Sequence, residues 1–351
     1  MSQLTKIFEV NPQGIKLVRG VVVIVAMLIP LAVMSAIGLE KYWLSLVFAM
    51  LFCALSDPGG SYGRRFRSMA AVGLIGGALT ALGFAIGGGP WGLVVLAAFV
   101  VTLGAGLSLR YGKHGFTAGL MLDSWFLVAI SEPAGAHLTA ATSGWWEQAL
   151  AWLVGAALWI GLTVVMWVLR GRQSQDPHFP EVPVDMTSTT LGRPEILFAV
   201  IQALAISISV SIAFGLHLPN ADWMPIATLV AMKSSLNQAT LAAEQRIAGA
   251  VMGALIAALF LLTVDNKHVL QVVVVVLGAF AASFRAATYA LYCAAMAALV
   301  LIAEDVTHPT NLSAEGRRVL FTFLGLGIGI AVIGLATVIQ KRSATRAAPA
   351  T

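Results

Sequence analysis

One carboxylate in this 351-residue chain stands where a charge is hardest to keep. Asp123 lies between GLML and SWFLVAI, inside an otherwise apolar stretch. If hydrocarbon surrounds that stretch, an ionised Asp is unfavourable by at least about 2.5 kcal/mol. Such a side chain faces a cavity, pairs with a partner or carries a proton; otherwise it is an Asp near a helix end that only ties two helices together. Trp125, two residues on, and Tyr289 and Tyr292 in a later apolar stretch offer flat rings that either stack on a planar ligand or pack. Arg67, Arg110, Arg246 and Arg285 each open an apolar run. A guanidinium so placed can grip a carboxylate with two parallel hydrogen bonds or snorkel to lipid phosphates.

Other chemistry is harder to build from these residues. His137, His217, His268 and His308 are scattered without any metal-ligand spacing, and Cys53 and Cys293 sit singly in apolar runs, so neither a metal nor a cofactor is expected. No phosphate-binding Walker pattern occurs. The glycines of GFAIGGGPWG, residues 83-92, have no βαβ unit behind them and read as a turn. Nothing here assembles an enzyme.

The elements that must position these residues follow from composition. Hydrophobic residues make up 59% of the chain and charged ones 11%, with mean hydropathy +0.88, which places the chain in a bilayer rather than in water. In lipid only closed helices or barrels satisfy the backbone, and runs of about 18 or more apolar residues are long enough to cross as helices. The expected spans are 18-38, 43-56, 67-87, 91-109, 115-130, 146-169, 194-216, 222-236, 246-263, 269-284, 286-303 and 317-340. The fold class is therefore all-α: a polytopic membrane protein of about twelve transmembrane helices. The first run is too long for a cleaved leader and counts as a span.

Charge placement sets the orientation. With the N-terminus inside, Lys6, Lys16, Arg19, Arg64, Arg65, Arg67, Arg110, Lys113, Arg170, Arg172, Arg193, Lys233, Arg246, Arg285, Lys341, Arg342 and Arg346 all fall on the cytoplasmic side. Lys41, Lys267, Arg317 and Arg318 remain outside. Both termini are thus expected in the cytoplasm. Trp43, Trp91, Trp145, Trp146 and Trp223 then mark the outer interface, where an amphipathic indole belongs. The net charge of +5 is topological, and no nucleic-acid partner is implied.

A polar interruption containing DPHFPEVPVD divides the chain into a first membrane repeat, 1-169, a cytoplasmic linker, 170-193, and a second repeat with a short tail, 194-351. Six spans on each side give two parallel six-helix repeats, since an even number returns the chain to its starting side. The interval from Trp43 to Arg67 matches that from Trp223 to Arg246 within one residue. After the arginines come MAAVGLIGGALTALG and AGAVMGALIAALFLL, whose small residues let backbones approach; these third spans are expected to form the interface between the halves. The second spans are short, and paired short helices at corresponding positions point to a transport site. SDPGGSYGRR follows one and KSSLNQAT the other. Backbone and hydroxyl donors beside positive charge suit an anion, although an ordinary basic turn has the same composition.

The segment WMPIATLVAMKSSLNQATLAAEQRIAGAVMGALIAAL, residues 223-259, resembles the fusaric acid resistance and aromatic acid exporter family. Residues 43-87 look like a more divergent copy, with SDPGG in the break and Arg67 in the arginine position. The resemblance implies export of aromatic or other organic acids driven by the proton-motive force, and kinship with plant anion channels built as dimers of six-span subunits. It would make this chain a fused pseudo-dimer with a central pathway in a bacterial inner membrane. Members often carry large cytoplasmic domains, which the linker and tail here do not match. The expected partners are a small organic anion and the lipid bilayer, with homo-oligomers compatible. Asp123 is the expected proton-coupling residue, and Arg67, Arg246, Lys233, Asn237, Trp125 and Tyr289 the expected substrate-binding ones. A passive anion channel and a non-transporting membrane assembly protein stand as the other readings.

Overall fold

The structure, a computed structural model, describes residues 8–135, 143–172, 191–218, 223–232, 240–307, 317 and 320–335. Among them the chain forms twelve α-helices and no strand. The first group is α1 (Leu17–Ala36), α2 (Trp43–Leu55), α3 (Tyr62–Ile86), α4 (Trp91–Leu107), α5 (Gly112–Gly135) and α6 (Trp145–Leu169). The second is α7 (Arg193–Gly215), α8 (Trp223–Ala231), α9 (Thr240–Thr263), α10 (Lys267–Phe284), α11 (Tyr289–Thr307) and α12 (Leu320–Leu335). Six of these, α1, α3, α4, α6, α7 and α10, are long and apolar enough to cross a membrane. The molecule is a multi-pass membrane protein.

Side-chain size, more than polarity, sorts the faces of these helices. On α3 the buried face carries Gly73, Gly76, Gly77, Thr80 and Gly83, while Leu74, Ile75 and Leu82 point out. Lipid is as apolar as leucine, so hydrophobicity alone cannot choose which face packs; close backbone approach can. A Cβ at Gly73 would lie 2.9 Å from the Ala156 Cβ of α6, and one at Gly83 would lie 2.6 Å from the Ala129 Cβ of α5. In the second group, Gly249 and Gly253 of α9 press in the same way on Cys293 and Ala297 of α11.

The third helices therefore pack within their own groups, which corrects the expectation that they join the halves. That junction is made by α4 against α7 and by α10 against α1. Gly106 of α4 meets Ala199 of α7, and Gly20 of α1 meets Ser283 and Ala279 of α10. Both pairs are antiparallel. Trp91 lies beside Gly215 at the far end of one, and at the far end of the other the Lys267 ammonium donates to the Glu40 carboxylate at 2.8 Å. Ser35 also donates to Glu40, at 2.7 Å; the Lys267 bond first and then this one hold the Glu40 carboxyl below its ordinary range. A further correspondence links the groups: Gly155 of α6 sits on the Leu46 carbonyl of α2, and Gly325 of α12 on the Met224 carbonyl of α8.

These contacts define two ends of the bundle. One end holds Glu40, Lys267 and the tryptophans that open α2, α4, α6 and α8. The other gathers Arg64, Arg65, Arg67, Arg110 and Arg285. Trp91, Trp145 and Trp146 are exposed at the first end, as an interfacial belt requires, whereas Trp43 and Trp223 are 1% and 2% exposed and lie inside. They are inside because their helices are. All 13 residues of α2 are buried, and so is every described side chain of α8.

If close packing at Gly106 joins the groups, Gly106→Leu lowers stability by about 1–3 kcal/mol through overpacking. Gly104→Leu, on the same helix with nothing within 4 Å of its Cβ position, changes it by less than about 0.5 kcal/mol. Thermal unfolding in detergent measures both, and equal effects would contradict the assignment.

Candidate functional site around Asp123

Asp123 sits halfway along α5 and is completely buried. The Thr102 hydroxyl of α4 donates to its Oδ1 at 2.9 Å, while Oδ2 has no hydrogen-bond partner among the described residues. Small residues bring the two helices together: a Cβ at Gly119 of α5 would meet the Ala105 carbonyl oxygen of α4 at 3.0 Å. The Ser108 hydroxyl donates to Ala105 and Gly115 across the same junction. One oxygen is thereby held and the other left open, an arrangement in which a proton can be added to Oδ2 without breaking the Thr102 bond.

Trp125 supports this carboxyl from behind. Its indole N–H donates to the Thr80 hydroxyl of α3 at 2.8 Å, and Thr80 donates onward to the Gly76 carbonyl at 2.7 Å. The ring stacks on Phe48 at 5.1 Å and leans on Trp152 at 4.9 Å, with Phe52 edge-on to both of those neighbours. Expected as a stacking surface for a ligand, Trp125 is instead 0% exposed and serves as the aromatic link between α5 and the enclosed α2. From the second group, α8 reaches α5, and α7 braces α8 through a Ser209–Thr228 hydrogen bond at 2.8 Å.

The break after α2 is built around an ion pair that the sequence did not single out. Gly59 and Gly60 take φ of 68° and 81°, a left-handed region that glycine enters without penalty. The turn they make lets the Gly59 N–H donate to Asp57 Oδ1 at 3.0 Å. Arg65 then closes on the same carboxylate, with Nε at 2.9 and 3.1 Å from its two oxygens and Nη2 at 2.6 Å from Oδ2. Both partners are buried. Arg67, expected to bind substrate, is exposed and donates its Nε–H to the Gly63 carbonyl at 3.2 Å. The buried guanidinium is two residues earlier, and Asp57 already occupies it.

Tyr289 is half-buried, its ring 6.2 Å from that of Tyr292, over which the buried Arg285 guanidinium lies at 5.6 Å. Arg246 falls on α9, but its side chain lies outside the described residues, as do Lys233 and Asn237 altogether. Sequence reasoning also passed over Thr102, a hydroxyl residue in an apolar helix, and Glu132. It ended the fifth span at 130, whereas α5 continues to Gly135 and buries Glu132.

Residues 205–332 match the family model described as fusaric acid resistance protein-like. The match runs from α7 into α12 and contains the segment whose resemblance to that family was noted. No curated protein and no solved structure matches the chain.

Removing one partner of the buried pair leaves the other charge uncompensated, so Asp57→Ala lowers stability by about 3–5 kcal/mol. The double change Asp57→Ala with Arg65→Met recovers most of it, because the buried charge is gone. Denaturation of the detergent-solubilised variants tests this, and a double variant no more stable than Asp57→Ala would refute it.

Proposed function

We propose that this protein is a secondary transporter that exports small organic or aromatic acids across a bacterial inner membrane, using the proton-motive force. The observation that carries the reading is Asp123, an acid at mid-helix depth with one oxygen fixed by Thr102 and the other open. A carboxyl that must be either neutral or compensated at such depth is suited to bind a proton on one side and release it on the other. The family match over residues 205–332 supports transport, and the fusaric acid in the family's description supports an organic acid as substrate.

In this reading the two groups of helices are like-oriented repeats. Support comes from the reciprocal junctions α4–α7 and α10–α1, since a twofold relation between halves requires each contact to occur twice. The arginine-rich end is cytoplasmic by the positive-inside rule. There Arg67 contributes to the potential that attracts anions, and Arg246, Lys233, Asn237 and Tyr289 complete the loading vestibule. Alternating opening to the two sides then exchanges one proton on Asp123 Oδ2 against an outgoing anion.

Reconstituted in vesicles with an imposed pH gradient, the wild type accumulates an aromatic carboxylate such as benzoate. Asp123→Asn, which keeps shape but cannot ionise, loses about tenfold or more of this pH-driven accumulation while retaining downhill exchange. Unchanged proton-coupled uptake in the variant sinks the mechanism. Currents that follow the anion gradient without proton dependence would select a channel instead.

A further inference from the structure

Trp43 and Trp223 share a defect that Trp125 and Trp152 avoid. Each opens a short enclosed helix, each is almost fully buried, and the indole nitrogen of each finds no acceptor among the described residues. Trp125 and Trp152, equally buried, donate to Thr80 and to the Gly73 carbonyl. A buried donor left unpaired is unfavourable, and phenylalanine would fill most of the same space without the unmet N–H. The same unmet donor at both of two matched positions, each followed by an arginine at nearly the same interval, calls for an acceptor that arrives from outside the fold.

We infer that the indole N–H groups of Trp43 and Trp223 are carboxylate-binding donors for the transported anion at the tryptophan-rich end of the bundle. The inference rests on the transport reading above and extends it to a second binding position, remote from the arginines. An ionised carboxylate is the acceptor class that gains most from a desolvated N–H, because the hydrogen bond is charge-assisted and water does not compete. Lys41, at the same end, adds a positive charge that favours the anion. With both N–H groups buried, the structure corresponds to a closed conformation of this end, and binding accompanies its opening.

Equilibrium binding of radiolabelled benzoate to the purified full-length protein tests the proposal. Trp43→Phe and Trp223→Phe each weaken binding about tenfold, while Trp91→Phe, at an exposed tryptophan of the same end, leaves it unchanged. The unfolding midpoints of the two Phe variants stay close to that of the wild type, since removal of the unmet donor offsets the smaller ring, and this separates lost binding from lost folding. Benzoate affinity unchanged by both Phe variants overturns the inference, as does absence of benzoate binding to the wild type. Affinity unchanged in the Phe variants alongside lost pH-driven uptake in Asp123→Asn overturns this inference alone. Indole-dependent binding without proton-coupled uptake overturns the transport mechanism alone.

Discussion

Surroundings as apolar as the interior remove the force that organises water-soluble proteins, and this constraint explains most of what the structure does. Leucine and isoleucine gain nothing by turning inward when the solvent is hydrocarbon. What is left to decide the inward face is how closely two backbones can approach and where polar groups find partners. On α3 the glycines and Thr80 turn in and the bulkier aliphatics turn out; on α1 Gly20 turns in and Val18, Val21, Val25, Ile29 and Val33 turn out. The Asp57–Arg65 pair, the Ser209–Thr228 bond and the indole of Trp152 follow the second rule.

From this follows the enclosure of α2 and α8. With 13 and 9 residues, they fall short of the roughly 20 that a bilayer crossing needs. A helix shorter than the hydrocarbon layer is tolerated where other helices or a cavity surround its ends, and the structure surrounds both with neighbours. The enclosed α2 also reaches the middle depth of the bundle. That depth is where Phe48 and Trp125 tie α2 to the helix bearing Asp123.

The sequence was legible where its signal was periodic or topological. The all-helical class, the long apolar helices, the shortness of the second helices and the isolation of Asp123 all follow from hydropathy and charge spacing. It was less legible where partner choice mattered. Nothing in RRFR says that Arg65 rather than Arg67 turns inward; the answer depends on a turn at Gly59–Gly60 that aims Asp57 at one of them. The small residues of the third helices announced close packing without naming a partner, and the partner proved to lie in the same group. Trp43 and Trp223 read as interfacial because tryptophan usually is; only the enclosure of their helices puts them inside.

Asp123 is the point at which these rules meet: an acid enclosed by helices chosen for close approach, with a single hydroxyl assigned to it. The account requires that this group gain and lose a proton within the folded protein. Infrared difference spectroscopy of the reconstituted protein, with aspartate carboxyls isotopically labelled, observes that directly through the carboxylic C=O band. The account predicts a reversible band that appears and disappears with pH and is missing in Asp123→Asn. A band that persists unchanged in the variant, or an Asp123 that keeps one protonation state across the range in which the protein stays folded, would contradict it.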